Sequence, residues 1–534
     1  MLSKLAVRMR SGSPGWAADD DGPIPAGYTY LAQFVAHDFI QNSAPLTPLE
    51  DLREPLQRDF RDLRLVLEAV YGGGPSATPD IYIPGPPSYR TQLWLGHVRA
   101  KEPPPQQIAA LLTDQPRRDL ARTKVPCPHV MNSIQLLTSS IPQTHDVLIA
   151  DPRNDQHVIL SQLTALFHEL HNCVIDKISK LAETEQISVH DPQDFTSQTF
   201  YLQHQAARRF LTARKVVALV YRRIIEYDLL RRLLKNHVWE HYHKRKEECR
   251  NTELPRNALG NFLPGNPVPV EFSHAAFRIG HILARFSYKL NDELGFNPSL
   301  KQLIDRSSGS RPDLVPLACD WLVDWGYFFE QGDGKAVNRA RRIRPYVGNS
   351  WLTRSTILGG RRADDGGLIF LDLQRGFEAG VGRVPDLIPR LHPDLREKSD
   401  LLSDAEFRQH RIVEWLRQGD VEFTAEELDS ISADPPLYFF ILFEAAMERT
   451  ASGEGNARFN RSKENKGETL GTLGSIIVAE TFFRGLGSTR SLIEDDPMVE
   501  PLAKEVFDGQ IPETMPDLIR FMRSHGCLQP VQCR

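Results

Sequence analysis

"HVILSQLTALFHELHNCVIDKISKLAE", residues 157–183, decides the fold class. Its apolar side chains fall at Ile159, Leu163, Leu166, Leu170, Val174, Ile178 and Leu181. They are three or four apart for about seven turns, which lines one face of a long helix. The next run, "SQTFYLQHQAARRFLTARKVVALVYRRIIEYDLLRRLL" at 197–234, repeats that pattern over a greater length. Further helical periodicity starts near Phe272, with Ser273 as candidate N-cap, and recurs over 314–331, 405–417, 436–449 and 468–485. It is weaker at 516–524, and shorter helices are expected near 28–41 and 105–113. Alternating strands are almost absent, "DIYIPG" at 80–85 being the best. The first 150 residues, with "YGGGPSATP" and "KEPPPQQ", read as loops wrapped on a core. The expectation is a mainly α protein with long loops, little β and one large domain.

Composition narrows the function classes. Of the 534 residues, 41% are hydrophobic and 25% charged, as in ordinary globular proteins. Lys plus Arg is 64 against 69 for Asp plus Glu, a net charge of −5 that argues for neither nucleic acid nor an anionic membrane. No apolar run approaches a membrane span, and the N-terminus has no apolar core of signal-peptide length. The six cysteines lie far apart without a CxxC pair, so reduced thiols and a cytoplasmic location are expected, with signal-independent secretion left open.

Four polar groups interrupt apolar segments. "FHELHNC" puts His168 and His171 three apart around Glu169, near the HExxH zinc pattern without matching it. "YLAQFVAHDF" at 30–39 places Gln33 and His37 on one helical face. "FRIGHILARF" places Arg278 and His281 on one face, with Gly280 allowing something flat to approach the backbone. "DPRNDQHV" at 151–158 is a turn presenting Arg153 at a helix entrance. Taken singly, each is ordinarily a core histidine or a capping turn.

Together and in order, "AQFVAHDF", "DPRNDQHV", "QAARRFLTARKVVALVYRRIIEYDLL", "FRIGH", "LDLQRG" and "LGTLGSIIVAETFF" resemble the landmarks of the animal-type (myeloperoxidase-like) haem peroxidases, the peroxidase–cyclooxygenase superfamily, and most of all its bacterial members. The resemblance covers roughly residues 25–490, leaving 1–24 as an N-terminal extension and 491–534 as a C-terminal helical tail. It implies a helical fold with haem b between a distal and a proximal helix. It also implies His37 as distal histidine, Gln33 as distal glutamine and Arg153 as distal arginine. His281 becomes the axial iron ligand, with Arg278 and Arg375 facing the haem propionates. The implied activity is reduction of hydrogen peroxide through a ferryl intermediate. The implied donor is a small molecule, phenolic or aromatic, with halide as a further option.

Departures from the family pattern qualify those expectations. Asp372 stands where mammalian members use an asparagine beside the proximal histidine, which should lower the iron potential. The positions that esterify or link haem in mammalian members read Ala36, Gln156 and His157, so haem should be non-covalent, although Asp155 is adjacent. Asp38 matches a calcium-ligand position, with Asp62 and Glu68 as further ligands. Arg278 replaces the tyrosine that becomes a radical in cyclooxygenases, which favours peroxidase over fatty-acid oxygenase; Tyr288 could substitute for it. A non-catalytic haem-binding scaffold is the third reading.

Overall fold

The computed structural model describes residues 1–11, 21–40, 64–86, 88–101, 116–123, 146–184, 198–248, 268–346, 367–451, 464–488 and 493–533. The short helix expected near 105–113 lies outside them, as do Asp62, Cys127 and Cys249.

Helix α1 (Leu2–Ser11) buries Leu5, Ala6 and Met9, so residues 2–11 belong to the core rather than trailing from it. Its Arg8, also buried, donates from Nε and a terminal nitrogen to the Trp415 carbonyl at 3.2 and 2.6 Å. The same guanidinium stacks 3.9 Å over the Trp415 ring. Strand β1 (Asp21–Pro25) leads into helix α2 (Gly27–Phe39). Glycine is needed at position 27, because a Cβ there would meet the Phe328 carbonyl at 2.5 Å and the Phe329 ring at 2.6 Å. A two-residue ladder joins β2 (Leu95–Gly96) to β3 (Asp119–Leu120).

The long helices expected from periodicity are present. Helix α3 (Val158–Thr184) packs on α4 (Gln198–Ile224), which continues through a π-helical segment, Ile225–Leu229. Helix α2 lies across α3, with Phe34 stacked on Phe167 at 4.8 Å. The Tyr28 hydroxyl donates to Asp228 on the π segment, and Asp228 also accepts the Met515 N–H and the Arg232 guanidinium. Helix α5 (Asn236–Glu248) follows.

Two expected helices are broken. The run from Phe272 divides into α6 (Val270–His274), a 3-10 turn (Ala276–Ile279) and the single turn α7 (Gly280–Leu283). Ala275, at φ −135° and ψ −74°, makes the break. Ser273 does not cap; it is the fourth residue of α6 and donates to the Pro269 carbonyl at 3.2 Å. The 314–331 segment forms only 3-10 turns, at Pro312–Leu314, Cys319–Trp321 and Trp325–Tyr327. Pro316 has no N–H to donate, and the Asn291 side chain occupies the carbonyls of Asp320 and Leu322 that a helix would use. "DIYIPG" contributes a 3-10 turn (Pro79–Ile81) and one bridge, Tyr82 to Leu93, rather than a strand.

Strand β4 (Arg339–Arg341) pairs antiparallel with β1. Helix α8 (Gly367–Glu378) rests on α1 and α6. Helices α9 (Ala405–Arg417), α10 (Leu437–Met447) and α11 (Thr472–Ser488) sit near their expected bounds. Buried Glu444 on α10 and Glu448, just past its end, accept the first N–H groups of α11, satisfying donors that a helix start leaves over.

The tail, α12 (Val499–Val506) and α13 (Met515–Ser524), packs back on the domain. Here the expectation of reduced thiols is corrected: Cys527 is disulfide-bonded to Cys173 on α3, and Cys533 to Cys319. The partners are 354 and 214 residues apart, and no spacing pattern in a sequence signals a pairing of that range. Alkylation of denatured, non-reduced protein should leave these four cysteines unmodified, and mass spectrometry should recover both linked peptides. Replacing either pair with serine is expected to lower the unfolding free energy by about 2–5 kcal/mol in chemical denaturation.

Candidate active site

The site begins with a conflict inside α2. Leu31, Phe34 and Val35 are fully buried, yet Gln33, His37 and Asp38 need polar partners. The turn before α3 supplies most of them. Asp151 caps a 3-10 turn (Pro152–Asp155) by accepting the Arg153 N–H at 3.0 Å. Asn154 then places its Oδ1 2.9 Å from His37 Nδ1, while its Nδ2 lies 3.5 Å from the Ala69 carbonyl. With an oxygen facing it, Nδ1 carries the His37 ring proton and Nε2 keeps the lone pair.

Three residues after Asn154, His157 Nε2 lies 3.0 Å from Gln33 Oε1. Gln33 Nε2 donates to Gln156 Oε1 at 3.2 Å. His157 is pushed down to about 3, by burial first and by His37 second, and is therefore neutral at any working pH.

Arg153 reaches His37 through the backbone. Its guanidinium donates to the carbonyls of His37 and Ile40 at 3.0 and 2.6 Å, satisfying the C-terminal end of α2. It also pairs with Asp151 at 2.7 Å, so its charge is already partnered.

Asp155 is fully engaged elsewhere. It accepts both terminal nitrogens of buried Arg122, at 2.9 and 3.0 Å, and the Ser308 N–H at 2.8 Å. Asp38 is likewise in use: its two oxygens accept the N–H groups of Leu67 and Ala69, at 3.0 and 3.1 Å. Glu68 pairs with Arg64 at 3.0 Å. The near-zinc motif is structural too. His168 Nδ1 meets the Trp94 carbonyl at 3.1 Å, and His171 sits between the Tyr71 hydroxyl and the Thr91 carbonyl. Among the described residues no cluster of three or more His, Cys, Asp or Glu could hold a metal ion.

On the other side, α7 packs against α2. Its His281 places Nδ1 2.7 Å from Asp372 Oδ2 on α8, while Nε2 has no hydrogen bond among the described residues. The second Asp372 oxygen accepts from Arg278 at 3.3 Å. Arg278 is thus the partner of the carboxylate, and Asp372 is shared between an imidazole and a guanidinium. Arg375, one turn along α8, makes no ion pair among the described residues; burial and the neighbouring Arg278 hold it below its ordinary value. His274, which the sequence reasoning missed, is pushed down to about 4 by burial and by Arg278 and Arg375. Three groups able to carry positive charge therefore meet beside the His281 turn. Its place four residues before Arg278 was the one available signal.

Fold and site describe a mainly helical protein with two histidines, His37 and His281, on adjoining helices. Residues 112–314 match the family model for the animal haem peroxidase domain. Among solved structures, the chain is similar to peroxidase A from Dictyostelium discoideum, 13% identical over 99% of this chain and 90% of that one, with a TM-score of 0.54. It is also similar to a fatty acid alpha-dioxygenase from Oryza sativa, 14% identical over 98% and 77%, with a TM-score of 0.51. A variant of that enzyme with palmitic acid is 15% identical over 98% and 78%, again at 0.51. No curated protein sequence gives a match. The family match covers less than half of the chain, and the likeness to these solved structures, at 13–15% identity, shows a shared helical fold.

The residues present fit the haem that this family implies. A side-chain carbon at Gly280 would meet nothing within 4 Å, which suits a flat ring beside His281. Arg375 is a half-buried cation suited to a propionate, beside a neutral His274. Replacing Asp372 with Asn should raise the iron reduction potential of hemin-loaded protein in spectroelectrochemistry. The expected rise is roughly 40–90 mV, about 1–2 kcal/mol for one electron.

Proposed function

We propose that the chain is a haem-dependent peroxidase that reduces hydrogen peroxide and oxidises a small electron donor. Between α2 and α7, His281 through Nε2 and Arg375 would be the residues that hold haem b. When bound, it supplies the iron at which the peroxide O–O bond breaks. The observation that carries the reading is the His37–Asn154 hydrogen bond, because it puts the ring proton on Nδ1 and leaves Nε2 as a base.

His37 Nε2 would take a proton from hydrogen peroxide and give it to the oxygen that leaves as water, the two electrons consumed being restored by the small donor. Gln33 orients the peroxide by hydrogen bonding. Arg153 holds the carbonyls of His37 and Ile40 and so fixes where the imidazole stands. Asp372 anchors the proximal ring, and Arg278 draws off part of its negative charge.

We assign non-covalent haem, since Ala36, Gln156 and His157 offer no ester-forming carboxylate and Asp155 is held by Arg122 and Ser308. Calcium is left out of this reading, because both Asp38 oxygens already accept backbone N–H groups. The donor class is small phenols and related aromatics, with halide disfavoured by the carboxylate behind His281. The oxygenase alternative needs an oxidisable tyrosine near haem. Arg278 occupies the expected place, and the Tyr288 hydroxyl is tied to the Arg285 N–H at 2.6 Å. A non-catalytic haem scaffold would need His281 alone, and has no use for the held His37 and Gln33. The cytoplasmic expectation rested on the lack of a signal or spanning segment, with reduced thiols as its corollary, and the two disulfides count against that corollary; no helix among the described residues is long and apolar enough to cross a membrane.

Hemin-loaded protein should show a Soret band that changes within seconds of adding hydrogen peroxide and recovers with a phenol. His37→Ala should keep the resting band and slow the peroxide step roughly 10²–10⁴-fold in stopped flow; an unchanged rate would sink the mechanism. Acidified acetone should extract all the haem.

A further inference from the structure

One buried side chain beside α2 is fixed from both ends and has no task in the scheme above. His157 is 6% exposed and stands immediately before α3, at its N-cap. Its Nδ1 accepts the Leu160 N–H at 3.2 Å, the third residue of the helix, as a capping side chain does. A lone pair used on Nδ1 puts the ring proton on Nε2. That Nε2–H lies 3.0 Å from Gln33 Oε1, and the ring packs edge-on to Tyr30 with centroids 5.0 Å apart. The helix N-terminus opposes positive charge on the imidazole, so this donor persists in the neutral ring.

We propose that His157 is a positioning residue: the end of α3 fixes its tautomer, the tautomer fixes the Gln33 amide with its oxygen inward, and the distal pocket is thereby given N–H donors rather than acceptors. Gln33 Nε2 spends one hydrogen on Gln156 Oε1 at 3.2 Å and keeps the other for a ligand. A flipped amide would set donor against donor at His157 and turn an oxygen toward the ligand. The pocket would then favour anions that accept hydrogen bonds: the peroxide anion, fluoride, other small halides. The position of a haem link in mammalian relatives is here occupied by a group that orients the distal amide. The inference rests on the peroxidase reading of the site.

The test is fluoride binding to the ferric holoenzyme, followed by the Soret shift and the long-wavelength charge-transfer band, beside thermal unfolding and haem content. His157→Asn keeps a capping oxygen but is too short to reach Gln33. It should retain stability and haem yet bind fluoride roughly tenfold more weakly, the size of one charge-assisted hydrogen bond. Gln33→Leu should lose a similar factor, and the double variant should lose little more than either single one. Equal fluoride affinity in His157→Asn, or additive losses in the double variant, would overturn the proposal and leave His157 as a helix cap. If His157→Asn does not take up hemin, His157→Gln decides. Its amide can still donate to Gln33, so wild-type affinity supports the proposal and a tenfold loss overturns it. Wild-type protein that takes up no hemin would remove the peroxidase reading itself, and the inference with it.

Discussion

The seven residues from Asp151 to His157 hold one end of α2, and the distal side of the site depends on that grip. An amphipathic helix normally turns its polar residues to water. Helix α2 is covered along most of its length, so each polar group must find a partner inside the protein or carry a desolvation cost of about 1–3 kcal/mol. One short turn meets three of these needs: Asn154 with His37, His157 with Gln33, and Arg153 with the terminal carbonyls. The tautomer of each ring then follows from which atom faces it. Acid–base competence is in this sense set by capping chemistry.

The turn is itself anchored by charge. Asp155 and Arg122 are almost fully buried and form a two-bond pair, with Asp119 close to the same guanidinium. Breaking a buried pair of this kind costs about 3–5 kcal/mol, mostly because one charge is left without a partner. The proximal side uses weaker means. Asp372 divides its two oxygens between His281 and Arg278, so neither partner receives the full basicity of a carboxylate. One side is thus anchored by a buried two-bond ion pair, the other by a carboxylate divided between two partners.

Much of this was legible in the sequence. Periodicity was enough for α3, α4, α9, α10 and α11, because each buries one stripe against neighbours and little else competes. It failed from 272 to 290 and from 314 to 331, where apolar spacing was helical but side chains and prolines claimed the backbone groups a helix would need. The site residues were named from ordered motifs, and α2, the 151–157 turn, α7 and α8 do adjoin in space. Their partners were not legible. That Arg278 meets Asp372 depends on how a broken helix lies against α8. That Arg153 spends its charge on Asp151 and two carbonyls depends on the end of α2. His157 was visible only as a place where a haem link is missing, since its contact to Gln33 spans 124 residues.

Helix α1 puts the protein under a constraint of time. Leu5, Met9 and Arg8 are buried against elements that include Trp415, 407 residues later in the chain. At ribosomal rates of about 5–20 residues per second, α1 leaves the ribosome on the order of 20–80 seconds before that surface exists. During this interval its apolar face has no native cover. The support for α8, which carries Asp372 and Arg375, thus includes a segment made long before α8 itself.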